Sequence, residues 1–124
     1  MIRSVTPDGH RPRLELTRAE EGGVQVIALA GELDIDSVDE LEAALAGASE
    51  SGRPRVCLDM SQLAFIDSTG LAAVIRAHLT VVEGGGSFAV VAVPGTVRRT
   101  LETTGLLEML SVVDDRRAAL QDLA

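Results

Sequence analysis

The residues best suited to chemistry stand together in the short segment DSTG, residues 67–70, which lies between two apolar runs. A carboxylate or hydroxyl at the start of a helix accepts a hydrogen bond from a free backbone N–H group, and Asp67, Ser68 and Thr69 could each do this. Spacing alone therefore favours a helix cap. Because one helix needs only one such cap, a surplus hydroxyl remains that could accept a phosphate.

Ser68 is the residue of this segment whose hydroxyl would be free. If Asp67 caps the helix, Ser68 occupies the first helical position and is expected to face solvent. A phosphate attached there would meet free N–H groups and the positive end of the helix dipole, and Gly70 offers a place where another backbone can approach closely. A kinase supplies the nucleotide, Mg²⁺ and positioning, so Ser68 would need no base of its own.

Acidic residues near predicted strand ends suggest a second kind of site. The carboxylates of Asp34, Asp36, Asp59 and Asp67 would suit Mg²⁺, as in metal-assisted phosphoacceptor proteins. All 11 basic residues are arginine, however, so no lysine is available to pair with an acyl phosphate. This interpretation is therefore disfavoured, and caps and solvated charge account for the acids.

The remaining candidate catalytic groups lack partners in the sequence. His10 lies near the amino terminus and His78 in an apolar stripe, and neither has a nucleophile or metal ligand beside it. The glycine run at residues 84–86 lacks the spacing and the lysine of a phosphate-binding loop. We therefore expect no enzymatic activity, no cofactor and no metal site.

Length, charge and cysteine content exclude several classes of protein. The 124 residues fit one domain, and the net charge of −8 argues against nucleic acid, because a phosphate backbone needs a basic surface. Cys57 is the only cysteine, so no intramolecular disulfide can form. The chain shows neither a signal peptide nor an apolar run that would cross a bilayer. We expect a cytoplasmic monomer with no nucleic-acid or membrane partner.

The elements that must position the DSTG segment follow from periodicity. Residues 1–11 show no apolar periodicity and are expected to form a flexible tail. An edge hairpin of the strands RLELT and VQVIALAG follows and ends at Gly31. The apolar spacing of Val38, Leu41, Leu45 and Ala48 predicts a helix that has Ser37 or Asp36 as its N-cap and that Gly52 and Pro54 end. RVCLDM is a buried strand, and a helix stripe then begins after Asp67, formed by Leu71, Val74, Ile75, His78, Leu79 and Val82.

The last third of the chain continues the alternation. SFAVVAV predicts a buried strand, Pro94 suits the first turn of a helix that ends at Gly105, LLEMLSVV predicts a short strand, and the final residues a closing helix. Such alternation predicts an α/β domain, with a mostly parallel mixed sheet of about five strands and about four helices. Functional groups of such sheets gather beyond the strands' carboxyl ends, where Asp34, Asp67 and Ser68 are expected.

Two segments carry a family resemblance. GELDI, residues 31–35, and LDMSQLAFIDSTGLAAVI, residues 58–75, resemble the bacterial anti-sigma factor antagonists of the STAS domain family, and the resemblance extends over about residues 12–115. It implies a single STAS domain over residues 12–124. The long middle motif is highly specific, whereas GELDI alone would be a weak signal.

The resemblance implies a partner-switching protein. Unphosphorylated members of this family bind an anti-sigma factor that is also an ATP-binding serine kinase, and so free a sigma factor. The kinase then phosphorylates the motif serine, here Ser68, and a separate serine phosphatase restores the first state. We expect a partner surface made of motif residues and of the helix that follows them: Asp34, Asp67, Thr69, Gly70, Leu71, Ala72, Ile75 and Arg76.

A different function class shares the same fold. STAS domains are also similar to modules that do not switch, in lipid-transport complexes, anion transporters and stress-sensing assemblies. The alternative is therefore a non-phosphorylated scaffold or regulatory subunit of a larger complex. The two interpretations differ in whether charge at Ser68 changes partner binding.

Overall fold

Five strands and four helices alternate along residues 14–50 and 52–123, the part of the chain that this computed structural model describes. The expected tail, residues 1–11, lies outside that part. In chain order the elements are β1 (Leu14–Glu21), β2 (Val24–Leu33), α1 (Val38–Ala48), β3 (Arg55–Ile66), α2 (Ser68–Glu83), β4 (Ser87–Val91), α3 (Thr96–Thr103), β5 (Val112–Val113) and α4 (Arg116–Leu123).

The strands form one mixed sheet in the order β1-β2-β3-β4-β5. β1 and β2 pair antiparallel, while the other three pairings are parallel. The helices that follow β2, β3 and β4 are the crossovers that parallel strands require. The predicted α/β class, edge hairpin and mostly parallel five-stranded sheet are therefore confirmed.

The sheet separates two apolar layers. In the larger layer, buried side chains of α1, α2 and α3 pack with Ile27 and Leu58 on one face of the sheet. In the smaller layer, Ala119 and Leu123 of α4 cover the other face beside Cys57. Since helices occupy both faces, the turns at the carboxyl ends of the parallel strands remain available for function.

The boundaries before α1 differ from the prediction. β2 continues through Gly31 to Leu33, because Gly31 adopts a φ of 99° and the pairing register with β3 shifts beside it. Ser37 does precede α1, but its hydroxyl does not cap the helix. It accepts a hydrogen bond from the Asp34 N–H (3.0 Å) and donates one to the Glu32 carbonyl (2.9 Å). Ser37 therefore braces the turn between β2 and α1.

The buried face of α2 is also not the predicted stripe. Small residues face the sheet, and of the predicted set only Val74 is fully buried, while Leu79 and Val82 are exposed. Small side chains let the helix lie close to the strands, so the larger ones turn toward its flank and the solvent. The residues that α2 buries are Gly70, Ala73, Val74, Ala77 and Val81.

The chain after β4 is less regular than predicted. Pro94 lies outside α3, before the N-cap residue Gly95, and β5 contains only two residues because residues 107–111 form turns. Gly105 follows the helix with a φ of 74°, as expected of a residue that ends one. The fifth strand is therefore a short edge that pairs only with β4.

Cys57 lies fully buried on the face of the sheet that α4 covers. Burial, reinforced by the nearby charge of Asp59, raises the pKa of the thiol from 9.0 to about 12, although the positive charge of Arg116 opposes the shift. A thiol held neutral in this way is a poor nucleophile at physiological pH. Cys57 is therefore a packing residue, as its apolar strand predicts.

This shift leads to a prediction about stability in alkaline solution. Because the folded pKa lies above the unfolded one, the contribution of the neutral thiol is complete below about pH 9 and is lost as pH rises toward 12. The chain has no lysine and no tyrosine to titrate in that window. We expect the free energy of unfolding to fall by up to about 1.4 kcal/mol per pH unit.

Urea denaturation at pH values from 8 to 11 measures this effect. The Cys57→Ala variant is the control, since its stability should be lower at pH 8 but nearly independent of pH above 9. Parallel pH curves for the two proteins would show that the thiol does not carry the dependence.

Candidate functional site

The candidate site lies where β3 ends and α2 begins. Asp67 is the N-cap of α2, in an extended conformation, and its Oδ1 accepts a hydrogen bond from the Gly70 N–H at 2.8 Å. Ser68 is the first residue of the helix and is exposed. The sequence left open which of Asp67, Ser68 and Thr69 caps the helix; in the structure Asp67 does so, and the Ser68 hydroxyl is not needed for that purpose.

The second carboxylate oxygen of Asp67 joins this turn to the neighbouring one. Oδ2 accepts a hydrogen bond from the Ile35 N–H at 3.3 Å, and the Asp67 N–H donates to the Leu33 carbonyl at 3.1 Å. One side chain therefore holds the turn between β2 and α1 beside the start of α2. This contact links the two sequence motifs, GELDI and DSTG, across the sheet edge.

Gly70 is buried against Leu33 at the end of β2. A Cβ at this position would lie 2.7 Å from the Leu33 carbonyl oxygen and 2.9 Å from Leu33 Cγ, which is closer than a side chain tolerates. The backbone that approaches Gly70 is thus that of β2, whereas the sequence suggested the approach of another backbone without saying whose. Gly70 supports the site by seating α2 on the end of the sheet.

Asp34 is also buried and organises the turn before α1. Its Oδ1 accepts a hydrogen bond from the Asp36 N–H at 3.0 Å and lies 3.2 Å from the Ser37 hydroxyl oxygen. The side chain of Asp34 is therefore directed into its own turn. Among the predicted partner residues, Asp34 and Gly70 shape the surface from beneath.

The other predicted partner residues lie on or near the surface of α2. Thr69, Leu71, Ala72 and Ile75 are half-buried. Arg76 is exposed and forms a long ion pair with Glu42 of α1 at 3.6 Å, a type of contact that adds little stability. Arg76 stands at an open groove of about 290 Å³ between α1 and α2. Ser68 and Arg76 are both exposed residues of α2.

Sequence reasoning missed two exposed apolar side chains at this edge. Ile35, at the end of GELDI, is 70% exposed, and Phe65, two residues before Asp67, is 45% exposed. Their positions beside the two motifs were visible in the sequence. Their exposure was not, because the run LAFI reads equally well as a buried strand end.

Neither a group of metal ligands nor a membrane-spanning helix is found in the part of the chain that the structure describes. Within residues 14–50 and 52–123, no three His, Cys, Asp or Glu side chains come together in a way that could hold a metal ion. None of the helices found there is long and apolar enough to cross a membrane. What the turn before α2 does offer is an exposed hydroxyl at a helix N-terminus.

Known proteins resemble this chain over most of its length. The family model described as "Mlab, STAS domain" matches residues 16–113. An anti-sigma F factor antagonist of Paenibacillus polymyxa is 28% identical over 111 residues, which are 89% of this chain and 95% of the relative. The crystal structure of an anti-sigma factor antagonist of Mycobacterium paratuberculosis superimposes with a TM-score of 0.81 at 25% identity, covering 97% of this chain and 98% of that one.

A more distant structure shares the fold. The Bacillus cell fate determinant SpoIIAA, solved in its phosphorylated form, has a TM-score of 0.69 at 21% identity, and the match covers 89% of this chain and 100% of that one. The family model covers residues 16–113, well over half of the chain. This chain therefore belongs to the STAS domain family, and the relatives it resembles include anti-sigma factor antagonists.

Proposed function

We propose that this protein is an anti-sigma factor antagonist controlled by phosphorylation of Ser68. With Ser68 unmodified, it binds an anti-sigma factor that is also an ATP-binding serine kinase, and the sigma factor is released. The observation that carries the proposal is the exposed Ser68 hydroxyl, which Asp67 relieves of the capping role. The names of the relatives and the phosphorylated form of SpoIIAA support the same function.

The chemistry asks little of this chain. The kinase supplies the nucleotide, Mg²⁺ and positioning, so the substrate only has to present a hydroxyl in line with the γ-phosphate. The product phosphate would lie at the amino end of α2, where backbone N–H groups and the helix dipole favour negative charge. Ser68 can therefore be modified without unfolding the domain, and a serine phosphatase can restore the hydroxyl.

The partner surface we propose begins at the turn and follows α2. Asp67 and Thr69 border the acceptor, while Leu71, Ala72 and Ile75 provide apolar contact and Arg76 a charge at the far end. Asp34 and Gly70 hold this surface in shape from below. The proposed partner is a protein in the cytoplasm, and the net charge of −8 disfavours nucleic acid as a partner.

A charge reversal tests the far end of this surface. Arg76→Glu should weaken binding of the kinase about tenfold, mainly through slower association at low salt, because a rim charge acts chiefly on the encounter. Arg99→Glu makes the same change on the exposed surface of α3 and should have little effect. Surface plasmon resonance at two salt concentrations measures the association and dissociation rates of each variant. Equal association rates for the two variants would place the interface elsewhere.

Capture experiments test the function itself. Wild-type, Ser68→Ala and Ser68→Asp proteins are used as baits in extract of the source cells, and retained proteins are identified by mass. We expect the first two baits to retain a small ATP-binding serine kinase and the third to lose it. The same partners on all three baits would instead indicate a constitutive scaffold, the other role found in this fold.

A further inference from the structure

Two large apolar side chains project from the sheet edge that carries Ser68. Ile35 is the most exposed large apolar residue of the described chain, at 70%, and Phe65 is 45% exposed. Neither packs in the two buried clusters. An exposed apolar residue is ordinary when alone, but two beside a modification site form a candidate contact patch.

The backbone at both residues lies close to Ser68. The Ile35 N–H donates to Asp67, the residue before Ser68, at 3.3 Å. Phe65 precedes Ser68 by three residues, a distance of no more than about 10 Å even along an extended chain. In the register of β2 and β3, Phe65 lies opposite Glu32 and Ile66 opposite Leu33, so the ends of these two strands meet at one edge.

A kinase that phosphorylates Ser68 must cover this edge. A specific interface buries roughly 800 Å² on each partner, equivalent to a circle of about 16 Å radius. A footprint of that size centred on Ser68 reaches the backbone positions of both Ile35 and Phe65. Energetically dominant contacts of interfaces lie near their centres and exclude water, while the charged residues form the rim.

We propose that Ile35 and Phe65 are the apolar anchors by which the kinase seats the Ser68 turn. This inference rests on the proposed function and names the contacts that carry it. The partner chemistry that fits is an apolar pocket, because the two exposed side chains beside the Ser68 turn are those of an isoleucine and a phenylalanine. The pocket could close over these side chains only if a phosphate on Ser68 lost its bound water. Phosphorylation of Ser68 therefore weakens binding of the kinase.

Threonine substitutions test the anchors with little risk to the fold. Ile35→Thr keeps the β-branched shape, and Phe65→Thr keeps strand propensity, while each removes apolar contact. Val82→Thr is the matched control, since Val82 is also 45% exposed but lies 14 residues along α2 from Ser68, about 21 Å away. Circular dichroism and thermal unfolding check that all three remain folded.

The probe is the purified kinase obtained through its Ser68-dependent capture. We expect about tenfold weaker binding for each anchor variant, about a hundredfold for the pair, a parallel loss in kcat/KM for phosphorylation of Ser68, and less than a twofold change for Val82→Thr. If both anchor variants bind within twofold of wild type while Ser68→Asp does not bind, the inference is wrong and the proposed function stands. If Ser68→Asp binds normally, or if no Ser68-dependent kinase is captured, the proposed function fails and the inference with it.

Discussion

Replacement of Ser68 by aspartate is expected to weaken kinase binding at least a hundredfold, which corresponds to about 2.7 kcal/mol. The new carboxylate would stand beside Asp67, so an interface that covers this turn must bury two adjacent negative charges. The fold should be unaffected, because Ser68 is exposed and an acid in the first turn of a helix is favourable. Titration calorimetry with the purified kinase measures the loss.

Ser87→Asp is the matched control for this change. Ser87 is also exposed and begins β4, so its carboxylate would lie at the opposite, amino-terminal edge of the parallel strands. It adds the same charge to an already acidic protein, and its affinity for the kinase should match that of wild type. A similar loss in both variants would mean that net charge, rather than charge at the turn, governs binding.

Removal of the Arg116 side chain should lower the free energy of unfolding by about 2 kcal/mol. Arg116 contacts the buried carboxylate of Asp59 at 2.9 and 3.0 Å and pairs with Glu21 at 2.9 Å. Partial burial lowers the pKa of Arg116, but its hydrogen bonds to Asp59 and Glu21 and their charges outweigh this effect and raise it. Arg116→Ala would leave the Asp59 charge buried without the arginine, and α4 would lose the ion pair that joins it to β3.

Urea denaturation compares Arg116→Ala with Arg117→Ala. Arg117 is the next residue of α4 and is exposed, so its loss should change stability by less than about 0.5 kcal/mol. Adding Asp59→Asn to Arg116→Ala removes the stranded charge and should recover part of the lost stability. Equal stabilities for the two single variants would show that the ion pair contributes nothing to folding.

The position of Ser68 could be predicted because two local signals coincide there. The apolar pattern of β3 gives way to helical spacing after Asp67, and an acid stands at the junction where a cap is needed. The buried face of α2 could not be predicted in the same way. Periodicity identifies an apolar stripe, but α2 carries both a stripe of small residues and a stripe of larger ones. Packing against the sheet selects the small one.

The errors around α1 have a similar cause. Gly31 has the appearance of a strand end, yet its positive φ allows an irregular pairing from which β2 continues to Leu33. Likewise, the exposure of Ile35 depends on which elements pack near it in the folded protein. The five residues of GELDI do not contain that information. Local signals thus located the proposed acceptor, Ser68, whereas the exposure of the residues around it depends on the tertiary arrangement.

Under the proposed function, phosphorylation of Ser68 separates this protein from its partner. The most direct measurement incubates the purified complex with Mg²⁺ and ATP, maps phosphate by mass spectrometry and follows dissociation by size-exclusion chromatography. We expect one phosphate, on Ser68, together with loss of the complex, and neither event in the Ser68→Ala protein. Phosphate on another residue, or a complex that persists after Ser68 is modified, would show that phosphorylation of Ser68 is not the switch.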